Sequence, residues 1–387
     1  MSLRILLMGF YGRRNFGDDL MAAALANFLT ENLSAEVSIV SDEAYFSQSI
    51  LDAGATRVPR RMGAVFAALL HCDILVQGGG TIFHDSYAGR ARLRYWKNLT
   101  MWLLVFVLAR MFRAQVLLLG AGIGPFRHPF TRILCWLALS CAHGVMVRDR
   151  ASSEAMQGLA VKTRVHPGFD VAVLSASSPR AKPAGRPPLV IGVAPCALDP
   201  FSKDSTLVTH YWSELAGVLG EFASRTGSRI RFFALFTGSA VPSDEKTCCA
   251  MAEKLPRGID HQIIIYPGSM QKILAELAEC DVVISARYHG LLAAFMSGCR
   301  VLAVTYHRKV GDLAGSIGLD EDYIVAADRL MSREFWLSRL EALARGGGQP
   351  TRAPAELAEV ARNSLLSTFA QLPYLCLASN EPRASFP

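Results

Sequence analysis

The sequence predicts an α/β protein of two Rossmann-like domains that face each other across a cleft. Three observations predict it. Short apolar runs rich in Val, Ile and Leu alternate with longer segments of helical period, the pattern of parallel sheets covered by helices on both faces. A stretch rich in Pro, Ser and Ala breaks that alternation once, near the middle. The 387 residues, 51% of them hydrophobic, suffice for two cores at roughly 100–200 residues per domain.

A first domain over 1–174 rests on apolar runs at 3–10, 37–41, 73–78, 115–123 and 144–149. Helical stretches at 20–32, 62–72, 90–113, 130–143 and 151–159 lie between or after them. Residues 175–188 (SASSPRAKPAGRPP) have three cations and no periodicity, so they read as an exposed linker. A second domain over 189–345 has runs at 189–195, 230–236, 262–266, 281–286, 301–306 and 323–326. Its helices are expected at 210–225, 244–255, 270–280, 289–297 and 335–344. After the break RGGG at 345–348, the segment 346–387 supplies one more helix, 354–370, and an irregular tail.

Lys and Arg number 40 against 33 Asp and Glu, a formal charge of +7, yet only 19% of residues are charged. So oily a chain invites a search for a membrane span. The best candidate, 99–109, has about half the roughly 20 apolar residues a spanning helix needs, and Arg110 and Arg113 close it. Residues 3–10 are apolar, but sequence rich in Gly, Asn and Asp follows without a small-residue cleavage site, so the start reads as a strand rather than a secretory signal. Nine scattered cysteines without CxxC spacing read as reduced thiols of a cytoplasmic protein, and neither a structural metal nor a cofactor is expected. The helix 90–113 has Arg90, Arg92, Arg94, Lys97, Arg110 and Arg113 and no acid. It can rest on an anionic membrane surface, or serve as a buried crossover helix with solvated ends. Nucleic acid is not an expected partner, because no helix-turn-helix, RNP or OB signature accompanies the charge.

In paired doubly wound domains ligands collect outside the carboxyl ends of the strands, and the polar, glycine-rich clusters fall there. The first run ends in GFYGRRNFGDD (9–19). Gly12, Asn15 and Gly17 let main chain approach a ligand, and Arg13, Arg14 and the amides of a helix start favour an anion. Asp18 and Asp19 either cap that helix or carry chemistry. Gly78, Gly79 and Gly80 end the run before Thr81, where main chain can lie against a ligand or against the partner domain, with His84 and Asp85 as base candidates. Gly122 and Gly124, before Pro125, repeat the arrangement. Arg148 follows another strand; it can fork around a carboxylate or phosphate, or pair internally with Asp149 or Asp170. In the second half Arg287 and His289 sit where a strand becomes a helix, joining a permanent cation to a group that exchanges protons near neutral pH. Lys309, in the run YHRK (306–309), adds charge at the next strand end.

In order, the YGxxNxGDD opening, the GGG strand, the GxGP turn, the RDxxS helix start and the RxHG turn resemble the polysaccharide pyruvyl transferase family over residues 3–330. The resemblance implies a fold similar to GT-B glycosyltransferases, with the acceptor on the first domain and the donor on the second. It also implies transfer of a pyruvyl group from phosphoenolpyruvate to a hexose of a cell-surface polysaccharide or its lipid-linked precursor, as a ketal. Carried over, Arg148, Arg287 and His289 are donor-site candidates, and Asp19 stands where the family usually has Glu, its reach one methylene shorter.

Chemistry makes the same demand. Phosphoenolpyruvate carries a carboxylate and a phosphate on three carbons, so its site must be dense in cations and amide donors, which Arg148, Arg287 and Lys309 supply. Ketal formation needs one acid and one base: His289 for the donor, and Asp18 or Asp19 for the acceptor hydroxyl. Two other functions stay open. The same architecture serves glycosyltransferases that use nucleotide sugars, and the 90–113 surface suits a non-catalytic membrane-associated glycan-assembly protein. The expected location is cytoplasmic, with peripheral contact at the inner face of the plasma membrane left open.

Overall fold

The computed structural model describes residues 2–42, 54–85, 87, 89–176, 188–196, 205–238, 243–266, 269–327 and 330–372, except for the side chains of 205–209. Most of the expected linker and tail, 177–187 and 373–387, lies outside the described residues.

In the first lobe β1 (Arg4–Met8), β2 (Glu36–Ser41), β3 (Thr56–Pro59), β4 (Ile74–Phe83), β5 (Gln115–Ile123), β6 (Gly144–Val147) and β7 (Val165–Pro167) form one sheet. Its order is β3-β2-β1-β4-β5-β6-β7, with every pair parallel. The second lobe repeats the scheme with β8 (Val190–Ala194), β9 (Arg229–Ala234), β10 (His261–Ile265), β11 (Val282–Ser285), β12 (Arg300–Thr305) and β13 (Ile324–Ala326), in the order β10-β9-β8-β11-β12-β13. The strand order in each sheet therefore reverses once, between β1 and β4 and between β8 and β11, and a crevice opens at such a point beyond the strand ends.

The strands are apolar on both faces because both faces are covered. Ile5 and Leu7 join the core around α1 (Phe16–Leu33), whereas the alternate residues Leu6 and Met8 join the core under four helices on the other side. Those four are α2 (Met62–His71), α3 (Gly89–Met111), α4 (Pro129–Ser140) and α5 (Arg150–Leu159). The second lobe adds α6 (Ser205–Thr226), α7 (Asp244–Ala252), α8 (Met270–Ala278), α9 (Tyr288–Met296), α10 (Arg308–Ser316) and α11 (Arg333–Ala344). Helix α1 is buried all round from Phe16 to Ala26, where Phe16, Met21 and Leu25 share one core with Tyr266, Met270 and Leu291 of the second lobe. The last helix, α12 (Pro354–Ala370), returns to the first lobe, where Ser364 Oγ donates to the Pro167 carbonyl at 2.7 Å.

Four departures from the sequence reading bear on the site. Strands β3 and β7 were not expected; both are short edge strands without a run of apolar residues, and each ends in proline. Helix α1 starts at Phe16 rather than 20, so Asp18 and Asp19 lie in its first turn. Strand β4 continues through Gly78–Gly80 to Phe83, so the glycines lie inside the strand rather than after it. Helix α10 follows β12 where no helix was expected, because RKVGDLAGS is polar and holds two glycines; His307 caps it by accepting from Lys309 N at 3.2 Å.

A candidate active site between the lobes

The loop before α1 is stitched to the second lobe by main chain. Phe16 N donates to the Leu235 carbonyl at 3.0 Å, and Thr237 N donates to the Arg14 carbonyl at 3.1 Å. Asn15 caps α1 by accepting from Gly17 N. Asp19 completes the joint, accepting from Gly12 N and from the Tyr266 hydroxyl, both at 2.8 Å. Both of its carboxylate oxygens are thus engaged. Burial raises its pKa to about 6, against the two hydrogen bonds that favour the anion.

Asp18, one residue earlier, is also buried but has no hydrogen-bond or ion-pair partner among the described residues. Burial and then repulsion from Asp19 push its pKa up to about 7, with Lys309 and Arg148 opposing. The folded protein therefore favours the protonated carboxyl, so the stability this favours is present at low pH and lost as pH rises from about 4 through 7. Asp18→Asn is expected to flatten that part of the stability profile and to gain on the order of 1–3 kcal/mol at pH 8. Urea denaturation at pH 5 and pH 8 checks it; an unchanged slope would show that Asp18 titrates normally.

Arg148, just past β6, is buried and held on three sides. Its Nη1 donates to Asp170 at 3.2 Å and its Nη2 to Thr81 Oγ1 at 2.9 Å, while Nε lies 3.4 Å from Asp149. Its guanidinium also stacks 4.4 Å from the Tyr288 ring. Of the two readings left open by the sequence, the internal pair with Asp149 and Asp170 is present. Asp170 is fully buried and in turn faces His289 Nε2 across the lobe boundary at 3.5 Å. Burial alone would raise its pKa, but His289 and Arg148 hold it down at about 2. His289 is pushed below the usual imidazole range by burial, with Asp170 opposing.

The other face of the His289 ring lies against Gly17. A Cβ at Gly17 would come within 2.0 Å of His289 Nδ1. Gly17→Ala is thus expected to displace the imidazole and lower turnover about 100-fold, with the far-ultraviolet circular dichroism unchanged. Full turnover would remove His289 from the chemistry. Most of the other marked glycines also face the protein's own atoms. A Cβ at Gly78 would strike the Tyr11 hydroxyl, at Gly79 Met21 Sδ, at Gly12 Ser41 Oγ, at Gly124 the Ala155 methyl and at Gly122 the Arg148 guanidinium. Only Gly80, at φ +83°, faces a candidate carboxylate, Asp18 Oδ1 at 3.3 Å.

Arg287 directly precedes α9 and is clamped by Asp244 at the start of α7. Its Nε donates to Asp244 Oδ2 at 2.9 Å and its Nη2 to Asp244 Oδ1. Asp244 is fully buried and also accepts from Phe236 N at 2.9 Å. Lys309 completes the constellation from α10. Burial, then the positive fields of Arg148 and Arg287, lower its pKa to about 8. Its ammonium has no partner among the described residues.

Two adjoining recesses bring Arg148, Arg287, His289 and Lys309 together, whereas Asp18 and Asp19 line neither. A cleft of about 810 Å³ is lined from the first lobe by Thr81, Gly122, Gly124 and Arg148 and from the second by Tyr306, His307 and Lys309. A smaller recess of about 80 Å³ is lined by Asn15, Gly17, Arg287, His289, Tyr306 and Lys309. Lys309 lines both. His84 and Asp85 stand apart: His84 lines a separate groove between α2 and α3, and Asp85 accepts from His128 N. The sequence reading did not single out Asp244, Thr81 or Tyr288. Ser243, which caps α7 directly before Asp244, and the acidic first turn Asp244–Glu245 are local signals for a helix start there, not for a partner to Arg287.

The structure is similar over nearly its whole length to solved nucleotide-sugar enzymes. UDP-GlcNAc 2-epimerase from Methanocaldococcus jannaschii superposes with a TM-score of 0.61 at 11% identity, covering 96% of this chain and 100% of that one. The Neisseria meningitidis UDP-GlcNAc 2-epimerase bound to UDP-GlcNAc gives 0.57 at 11%, covering 95% and 100%. Anabaena HepE in complex with UDP and glucose gives 0.57 at 14%, covering 96% and 100%. At such identities the likeness shows the fold, the two-lobed GT-B architecture. A search of curated proteins finds no match. The sequence model of polysaccharide pyruvyl transferases matches residues 15–308, from the Asn15 cap through Arg148 and the RxHG turn to the residue before Lys309. By that match over most of its length, the chain belongs to the polysaccharide pyruvyl transferase family.

Proposed function

We propose that the protein transfers a pyruvyl group from phosphoenolpyruvate to two hydroxyls of a hexose in a polysaccharide or its lipid-linked precursor. The observation that carries this reading is the Lys309 ammonium, half-buried in the cleft beside Arg148 and Arg287 with no ion-pair partner among the described residues. A cation crowded by cations calls for an anionic ligand, and a small dianion with a carboxylate and a phosphate matches it.

In this reading the donor lies in the cleft with its anionic groups toward Lys309, Arg287 and Arg148. A proton is added to the methylene carbon, and the adjacent carbon becomes cation-like. One sugar hydroxyl attacks that carbon and gives up its proton; the C–O bond to phosphate breaks, and the second hydroxyl closes the ketal. One of the two hydroxyl protons balances the one added to the methylene, and the other leaves with phosphate or solvent. His289, held by Asp170, exchanges protons with the donor or leaving group. Asp18 serves the acceptor hydroxyl, since Asp19 has no free oxygen. Its pKa near 7 suits either direction of transfer.

The nucleotide-sugar enzymes that share the fold supply the competing donor. Phosphate release from phosphoenolpyruvate that requires a polysaccharide acceptor supports the proposal. Thermal stabilisation by UDP-sugars alone, with no phosphate released, would reject it.

A further inference from the structure

Helices α2, α3 and α4 lie side by side on the outer face of the first sheet. Phe66 of α2 meets Phe112, just past α3, edge-on at 5.4 Å, and Trp96 Nε1 of α3 donates to Thr131 of α4 at 2.8 Å. Their inner sides are ordinary: Leu69, Leu99, Phe106 and Leu134 pack on the sheet. Their outer sides are not. Helix α2 turns Met62, Phe66 and Leu70 to solvent, spaced i, i+4, i+8. Helix α3 does the same with Leu104, Val107 and Met111, and α4 with Phe130, Ile133 and Leu137, each spaced i, i+3, i+7. Of the fourteen exposed large apolar side chains among the described residues, eleven belong to these three helices. A surface helix usually reserves its outward side for polar residues, and a concentration of this kind marks an interaction face.

Charge says what covers it. From 86 to 147 the sequence has eight Lys and Arg residues and no Asp or Glu, in a chain whose overall excess is only +7. Arg90, Arg94, Lys97, Arg110 and Arg132 are exposed around the apolar stripes. Aliphatic and aromatic stripes framed by guanidinium groups match a surface that is oily beneath and negative on top. A groove of about 450 Å³ between α2 and α3 repeats the combination, with Met62, Val65 and Trp102 beside Arg13, Arg60 and Arg61. Asp42 pairs with Arg13 at 3.1 Å and Arg60 at 3.6 Å, so one acid meets two cations there. Thr81 lines both this groove and the interlobe cleft. No helix among the described residues is long and apolar enough to cross a membrane.

We infer that the α2–α3–α4 face seats the first lobe on an anionic lipid bilayer as a peripheral contact. The contact stands whether or not phosphoenolpyruvate is the donor, and its test needs neither donor nor acceptor. The full chain is floated with vesicles of phosphatidylglycerol and phosphatidylcholine, and with phosphatidylcholine alone. The expected result is capture by the anionic vesicles at least about tenfold stronger than by the neutral ones, weakening as salt rises from 0.05 to 0.5 M. Phe66→Glu with Trp136→Glu, both at exposed positions, is expected to cut capture about tenfold or more, while Val360→Glu on α12 leaves it unchanged. Circular dichroism checks that the variants fold. Absence of capture at low salt, or capture indifferent to the double substitution, would overturn the inference. So would a dimer in sedimentation that Trp136→Glu dissociates without any vesicle binding, which would assign the face to a second copy of the chain.

Discussion

Lys309→Met is expected to lower kcat/KM for phosphoenolpyruvate by about 100- to 1000-fold, the scale of removing one preorganised donor from an anion site. The fold should not suffer. The ammonium makes no ion pair among the described residues and is crowded by Arg148 and Arg287, so the resting protein gains nothing from its charge. Its pKa falls from 10.5 to about 8 on folding, which means that the folded state binds the proton less tightly than the unfolded chain. Wild-type stability should therefore rise between about pH 8 and pH 10.5, by on the order of 1–3 kcal/mol, and the methionine variant should lack that rise. A bound dianion reverses the field, so binding of phosphoenolpyruvate at pH 8 should take up a proton. Steady-state kinetics and denaturation across pH measure both halves. A variant with full activity would end the assignment of Lys309 to the donor, and one that unfolds would show a structural role.

Asp170→Ala is expected to be the most damaging single change at the lobe boundary. Asp170 is fully buried and accepts from Arg148 at 3.2 Å and Ala172 N at 3.0 Å while facing His289 at 3.5 Å. Its removal leaves a buried guanidinium with only Asp149 to balance it, and such broken pairs cost about 3–5 kcal/mol. The lower end is expected because Asp149 remains. Turnover should fall as well, since the imidazole loses the group that aligns it and favours its protonated form. Denaturant midpoints for Asp170→Ala and Asp170→Asn, set beside kcat, separate the two roles. The amide keeps the shape and should recover part of the stability without the activity. A loss under 1 kcal/mol in the alanine variant would show that the Arg148–Asp170–His289 chain is not under tension from burial.

The contrast between the two residues reflects a division of labour. Arg148 and Arg287 each have a buried carboxylate partner, so their positions are set by the protein and part of their charge is already answered. Lys309 has none among the described residues, so of these three cations it is the one whose charge no carboxylate answers. Gly17 belongs with the braces rather than with the ligand contacts. It is small because His289 needs the space.

Much of this was legible without coordinates. The alternation of apolar runs and helical segments reports burial of parallel strands on both faces, a local and periodic requirement, and β1, β5, β8, β11 and β12 follow it closely. The clusters at strand ends were legible for the same reason, since doubly wound folds place those ends at the crevice. Edge strands β3 and β7 escaped notice because half-exposed strands need no apolar run, and α10 because its amphipathic set Val310, Leu313 and Ala314 is short and broken by Gly311 and Gly315.

What the sequence by itself determined is the two-lobed α/β architecture and the set of charged residues at its rim, because burial and periodicity act on neighbours along the chain. Only the tertiary structure decided which of those charges are answered: Asp19 by Gly12 and Tyr266, Arg148 by Asp170, Arg287 by Asp244, and Lys309 by none among the described residues. Charge pairing depends on distances of a few ångströms between residues far apart in the sequence, and spacing along a chain does not encode them.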